Sequence, residues 1–269
     1  MEKRAIVMGA TSGIGMEVAK LLAAKGWLVG IAGRRVDRLE AVMKEANIIC
    51  YKQIDVTSPN APTLLRELIA ELGGMDLYFH SSGIGWQNNL LDMEKELKTV
   101  ETNGLGFVRM VDTVFNWFAE QNEVSAEEAS ARNSSEKTSA RNSSYKESSQ
   151  KKFRIACITS IAGIKGLGAA PSYSATKRFQ NHYIECLSQQ ATMRHLPIAF
   201  TDIRPGFVKT DLIAGSHYPL QLHAEDVARD IVKAIESGKE VKVIDWRYAI
   251  LVFFWRLIPR WIWKRMKIK

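Results

Sequence analysis

Three shortages narrow what this chain of 269 residues can be. It has only three cysteines, Cys50, Cys157 and Cys186, with no metal-ligand spacing among them. That count excludes a disulfide-stapled scaffold and a cysteine metal site, and it fits buried thiols in a reducing, cytoplasmic setting. Long apolar runs are missing too. Tyr248–Trp255 is eight residues long, against the roughly twenty a spanning helix needs. A strand pattern at Arg4–Met8 leaves no room ahead of it for a signal peptide. Acid is absent from one region altogether. Residues 246–269 hold seven Lys or Arg and no Asp or Glu, so most of the net charge of +8 belongs to the tail. The body is close to neutral and calls for no nucleic-acid partner.

What is present is regular alternation. Strand patterns at Ala5–Met8, Trp27–Ala32, Ile48–Ile54, Asp76–His80, Phe153–Thr159, Ile198–Ile203 and Val241–Ile244 are separated by helical patterns near 14–25, 36–46, 61–72, 93–119, 172–193 and 224–237. Strands that alternate with helices build a parallel sheet covered on both faces. The expected architecture is one α/β domain, residues 1–245, with a doubly wound seven-stranded sheet, plus an amphipathic tail at 246–269. Such sheets bind ligands beyond the C-terminal ends of their strands.

The first strand runs into Gly9-Ala10-Thr11-Ser12-Gly13-Ile14-Gly15 and then a helix. Glycines let the backbone approach a phosphate pair, and a helix N-terminus offers amide donors. No acid follows the second strand, where a site preferring NAD places one for the ribose 2′-hydroxyl. Arg34 and Arg35 stand there and suit a 2′-phosphate, which favours NADP, though they could also cap a surface turn. Asp55, with Val56 beside it, closes the third strand. It could take an adenine amino group or cap the next helix. The fourth strand ends in His80-Ser81-Ser82-Gly83, where Ser82 and Gly83 let the backbone pass close to a bound cofactor. His80 reads as a strand-end residue, not a catalyst.

In the helix pattern at 93–119, Asn103 interrupts an apolar side made by Val100, Phe107, Val111, Val114 and Phe118. A buried asparagine must find hydrogen bonds, so Asn103 is expected to hold a water or a backbone group. Tyr173 and Lys177 lie four apart on the next long helix and share a face. An ammonium beside a phenol favours the phenolate, which suits proton transfer near neutral pH. Ser160 ends the fifth strand, where its hydroxyl could polarise a carbonyl oxygen.

Asn103, Ser160, Tyr173 and Lys177, with the glycine loop upstream, resemble the short-chain dehydrogenase/reductase family, whose fold is Rossmann-like. The resemblance spans about residues 4–245. It implies that Tyr173 is the general acid or base, that Lys177 lowers its pKa and binds the nicotinamide ribose, that Ser160 orients the carbonyl, and that Asn103 holds a water relaying protons from Lys177. It also implies that Pro205, Gly206, Val208 and Thr210 line the cofactor, with Thr210 on the carboxamide, and that Arg34 is the basic position of NADP-preferring members. Two departures stand out: Met8 precedes the first glycine where Thr is usual, and Ser81-Ser82-Gly83 replaces the usual Asn-Ala-Gly.

Residues 122–152 break the pattern, with nine serines in 31 residues and Ser-Ala-Arg-Asn-Ser-Ser occurring twice. This composition is expected to form a disordered insertion. In the tail, Arg256, Arg260, Lys264 and Lys267 share one helical face, with Phe254, Ile258, Trp261 and Ile262 opposite, and Pro259 is expected to kink the helix or start a second one. A basic, Trp-rich amphipathic segment suits peripheral contact with an anionic membrane, or packing on the body or a second copy.

The activity expected is NADP(H)-dependent hydride transfer between nicotinamide and a ketone or secondary alcohol, on a lipid-like, long-chain keto substrate, by a homodimer or homotetramer. Two alternatives stay open: a soluble dehydrogenase of small polar hydroxy compounds, and an NADP-binding sensor or scaffold without turnover.

Overall fold

The computed structural model describes residues 2–135, 153–211, 218 and 220–266. Its centre is a seven-stranded sheet in the order β3-β2-β1-β4-β5-β6-β7. The strands are β1 (Arg4–Met8), β2 (Leu28–Gly33), β3 (Cys50–Gln53), β4 (Leu77–His80), β5 (Phe153–Ile158), β6 (Ile198–Arg204) and β7 (Val241–Val243). Every pairing is parallel. The strand order reverses between β1 and β4, and such a switch point opens a crevice at the C-terminal strand ends.

The pleat sends alternate side chains to opposite faces, and the two core layers follow that alternation. Val7, Val29, Ile31 and Phe79 face α1 (Gly13–Ala24), α2 (Val36–Glu45) and α7 (Ala224–Glu236). Ile6, Met8, Tyr78 and Ile155 face α3 (Ala61–Glu71), α5 (Phe107–Ser135) and α6 (Pro171–Met193). Each fully buried Leu, Ile or Phe in these layers contributes about 1.5–3 kcal/mol. Phe118 of α5 stacks on Phe153 of β5 with ring centroids 4.5 Å apart, which anchors the start of that strand.

Two expectations need correcting. The helical pattern at 93–119 is not one helix: α4 (Met93–Val100) passes into a π-helical turn, Glu101–Gly106, before α5 begins. Asn103 lies in that turn. The insertion expected to be disordered from 122 is helical as far as Ser135, because α5 continues through it. Ala and Glu are good helix formers, and extending a helix already nucleated by a buried face needs no new nucleus. Residues 136–152 of that insertion lie outside the described residues.

The tail forms α8 (Trp246–Leu257) and α9 (Arg260–Trp263), separated by Pro259. Tyr248 and Val252 are buried against Ile161, Phe207 and Val243, so one stripe of α8 belongs to the body. Trp246, Phe253, Phe254, Leu257 and Trp261 are exposed. Among the described residues no helix is long and apolar enough to cross a membrane.

Candidate active site

The glycine loop between β1 and α1 is built for close approach. Gly9 has φ +89° and a Cβ there would lie 2.7 Å from Ser82 N; a Cβ on Gly15 would lie 2.2 Å from the Gly9 carbonyl oxygen. Only glycine leaves that space. A Cβ on Gly13 would lie 2.9 Å from Thr210 Cγ2, so the loops after β1, β4 and β6 meet over the crevice. Ser12 is the N-cap of α1, and no acidic residue stands in the helix's first turn. The N-terminal amides there favour an anion.

Arg35 leans over this loop. Its guanidinium donates to Thr11 Oγ1 at 2.8 Å and to Ser12 Oγ at 2.8 Å, and it pairs with Asp211 at 3.4 Å. Arg34 holds Gln53 through its main-chain carbonyl and keeps an exposed side chain. Asp55 turns its Oδ1 back onto the Thr57 amide and hydroxyl, at 3.0 and 2.8 Å, forming a local turn. Val56 is buried against Gly106 of the π turn. The glycine cradle and the helix N-terminus are residues that could hold a dinucleotide's phosphates.

The remaining groups gather where β5 ends. Ser160 has an extended backbone, φ −172°, and its Oγ accepts from Ala162 N at 3.0 Å. Tyr173 stands near the start of α6, with its ring packed on Gly85, where a Cβ would lie 2.3 Å from the ring. Burial pushes the Tyr173 phenol above its ordinary value, and a hydrogen bond with Ser160 pulls the other way. Lys177 Nζ lies 5.8 Å from the Tyr173 ring centroid and donates to Ile158 O at 3.0 Å and to Gln180 Oε1 at 2.9 Å. Burial lowers its pKa to about 8 against the opposing pull of Cys157 and Asp202.

In this geometry burial, with Ser160 opposing it, sets the direction of the Tyr173 shift. The Lys177 ammonium directs two of its hydrogen bonds to Ile158 O and Gln180 Oε1, away from the phenol. A phenol held above its ordinary value keeps its proton at neutral pH, which suits a proton donor.

Asn103 is fully buried. Its Oδ1 accepts from Ile84 N at 2.9 Å, and its Nδ2 donates to Ile84 O at 2.7 Å and to Thr176 Oγ1 at 3.2 Å. Of the two roles expected for it, its side chain holds a backbone group. Gly83 lies between Asn103 and Lys177: a Cβ there would be 3.3 Å from Asn103 Oδ1 and 3.5 Å from Lys177 Nζ. The loop after β4 is thus locked against the crevice by the π turn, a helix geometry often found at functional sites.

Beyond the glycine loop, Pro205 O accepts from Ile161 N at 3.1 Å. Gly206 has a reason besides ligand approach, since a Cβ there would lie 2.2 Å from the Tyr248 ring. Val208 pairs with Leu222 across the base of the loop 211–223, in which residues 212–217 and 219 lie outside the described residues. His80 is buried, bonds Tyr78 through Nδ1 at 2.9 Å, and has its pKa lowered to about 3 chiefly by burial. It is a neutral core residue.

Three supporting residues escaped the sequence reading: Ser174, Gln180 and Asn181. The Ser174 hydroxyl donates to Ala162 O at 2.8 Å and accepts from Leu167 N at 3.1 Å, tying down the loop before α6. Asn181 Nδ2 donates to Thr159 Oγ1 at 2.7 Å and to Asp202. Their signal was available: three polar residues on the buried side of a helix otherwise lined by Ile184, Leu187 and Ala191.

The comparisons agree with this geometry. A family model described as short chain dehydrogenase matches residues 3–145 and 138–218. An uncharacterized oxidoreductase of Myxococcus xanthus (strain DK1622) is 28% identical over 267 residues, covering 96% of this chain and 93% of that protein. Dehydrogenase/reductase SDR family member 7B of Rattus norvegicus is 25% identical over 288 residues, covering 97% of this chain and 79% of its own. Among solved structures, an alcohol dehydrogenase from Thermococcus sibiricus complexed with 5-hydroxy-NADP superposes with a TM-score of 0.69 at 20% identity, covering 91% of this chain and 96% of that one. An actinorhodin polyketide ketoreductase variant with NADPH gives 0.68 at 23% identity, covering 90% and 95%. These two likenesses are of fold. With the family model matched across most of its length, the chain belongs to the short-chain dehydrogenase family and is an oxidoreductase.

Proposed function

We propose that the protein is an NADPH-preferring reductase of ketones, with Tyr173 as proton donor, Ser160 as the group that holds the substrate oxygen, and Lys177 and Asn103 as the residues that fix the donor's surroundings. The observation that carries this reading is the convergence of Ser160, Tyr173 and Lys177 at the end of β5, across the crevice from the cradle formed by Gly9, Gly13 and Gly15. When bound, the nicotinamide cofactor supplies the hydride. The Tyr173 proton goes to the substrate oxygen as charge builds there, and the Ser160 hydroxyl shares that charge. Arg34 and Arg35 would hold a 2′-phosphate, and Lys177 would reach the ribose of the bound cofactor.

The substrate we propose is lipid-like. Phe207 and Tyr218 stack with ring centroids 3.9 Å apart at the base of the substrate loop, which gives that edge an apolar wall. The exposed apolar stripe of α8 and the cationic tail support contact with an anionic membrane surface. A second copy of the chain is the partner we assign to Leu97 and Val100 of α4 and Phe179 of α6, which are exposed on adjoining helices.

The test is NADPH oxidation, with NADH alongside, against long-chain and small polar ketones. Turnover of long-chain ketones with NADPH is expected. Turnover confined to small polar ketones selects the alternative dehydrogenase, and cofactor binding without turnover selects a sensor. Liposome sedimentation with and without residues 256–269 tests the tail; equal recovery in the supernatant removes the membrane from the proposal.

A further inference from the structure

Beside the proton donor pair, the side-chain amide of Gln180 is committed at both ends. It is fully buried on α6, three residues beyond Lys177. Lys177 Nζ donates to its Oε1 at 2.9 Å, and its Nε2 donates to the main-chain oxygen of Asn103 at 2.9 Å. The amide can sit only one way round. An ammonium has no acceptor and a carbonyl oxygen has no donor, so Oε1 must face Lys177 and Nε2 must face Asn103. An unpaired amide at this depth is costly; here both ends are paired.

We propose that Gln180 is a positioning residue that joins Lys177 directly to the Asn103 carbonyl, in the place where the family resemblance implies a relaying water, so that Lys177 and Tyr173 exchange protons only from the crevice side. The proposal rests on the reductase reading for its catalytic meaning, and on the two hydrogen bonds for its substance.

The chemistry of the amide carries the consequence. A water can accept a proton on one side and release another on the other side. Gln180 Oε1 holds no proton to give back, and passing one through the amide would require its imidic-acid form. The second partner of Lys177, the Ile158 carbonyl, is equally inert to protons. Two of the three ammonium N–H bonds therefore end on groups that cannot relay. In each turnover Tyr173 gives one proton to the substrate oxygen and must regain one from solvent, and that proton enters through the crevice.

Every element around Lys177 brings a group that bears on its charge. His80 faces it from β4, Cys157 from β5, Asp202 from β6 and Tyr173 from its own helix. Asp202 is shared with Arg204, Thr159 and Asn181. Asn103 and Gln180 are neutral, so the anchoring bond from Gln180 can be altered without disturbing the other charges.

The experiment follows the Lys177 side-chain nitrogen by lysine-selective NMR through a pH titration of cofactor-free protein, in wild type, Gln180→Met and Gln180→Glu. A carboxylate in contact with the ammonium should raise its titration by about one to three pH units. Gln180→Met, which removes the acceptor, should lower it. The Lys177 N–H signals should also exchange with water faster in Gln180→Met, because the inner side is no longer closed. If Gln180→Met fails to fold, Gln180→Asn, one methylene shorter and unable to span both partners, takes its place in the comparison.

On a ketone that the enzyme reduces, the alkaline limb of the kcat profile should move in the same directions, while NADPH still binds. Identical Lys177 titrations in all variants overturn the inference, even in an active enzyme. An inference upheld by NMR in a protein that reduces no ketone leaves the Gln180 contact standing and removes the reductase reading.

Discussion

The side chain of Asn103 grips both polar groups of Ile84, accepting from its amide at 2.9 Å and donating to its carbonyl at 2.7 Å. This two-point hold joins the π turn to the loop after β4, and through that loop to Gly85, on which the Tyr173 ring rests. Asn103→Leu removes the hold and strands the Ile84 groups where water is scarce. The expected loss is about 1–3 kcal/mol per stranded group, read by chemical denaturation. Asn103→Asp should be worse than its size suggests, because a carboxylate cannot donate to the Ile84 carbonyl. Unchanged stability in both variants would show the loop to be held by something else.

Arg35 tests the cofactor preference. Its guanidinium contacts Thr11, Ser12 and Asp211, and Arg34 stands beside it. Hydrogen bonds to charged groups contribute about 1.5–3 kcal/mol each, so replacing both arginines by alanine should weaken NADPH binding by roughly a hundredfold or more. NADH binding, measured by the same fluorescence titration, should change far less. An equal loss for both cofactors would mean that the arginines support the loop and do not read the 2′-phosphate.

Lys177 makes a prediction about alkaline stability. Its folded pKa is lowered to about 8 from the ordinary 10.5, first by burial. Between these values the unfolded chain binds more protons at this site than the folded protein does. Stability contributed by this site therefore rises with pH across that window. Tyrosines and thiols titrate nearby, so the clean measurement is the difference between wild type and Lys177→Met. Wild type should gain stability relative to the variant from pH 8 to 10.5, by denaturant midpoint at each pH. A flat difference would place Lys177 in a far more solvated setting.

The tail is bound to the body through Tyr248, whose hydroxyl donates to Leu220 O at 3.0 Å and accepts from Phe207 N at 3.2 Å. Gly206→Ala would drive a Cβ into that ring. Overpacking of this kind costs about 1–3 kcal/mol, and it should loosen α8 and its hold on Leu220 together. Limited proteolysis after the start of α8 should quicken in Gly206→Ala and in Tyr248→Ala, while Trp261→Ser, on the exposed side, should cleave at the wild-type rate.

Tyr173→Phe keeps the ring that packs on Gly85 and removes only the hydroxyl. NADPH binding should survive and turnover should vanish. Comparable turnover would take the proton donor role away from Tyr173.

The sequence by itself determined the architecture. Strand and helix periods are local, and seven short apolar runs separated by amphipathic helices admit few arrangements besides a doubly wound parallel sheet. It also determined the glycine cradle and the grouping of Ser160, Tyr173 and Lys177, because spacing along one helix and the ends of adjacent strands leave little choice of where these residues lie. Three matters were decided only by tertiary structure. The π turn at Asn103 has no period of its own, and the Ile84 groups that Asn103 holds come from a loop nineteen residues earlier in the chain. The pKa directions of Tyr173 and Lys177 depend on desolvation by β4, β5 and the loop after β4, and the pair's spacing on α6 does not encode that burial. The Gln180 bridge joins two helices that are far apart in the chain, and which partner a buried amide takes is set by what the fold brings within 3 Å.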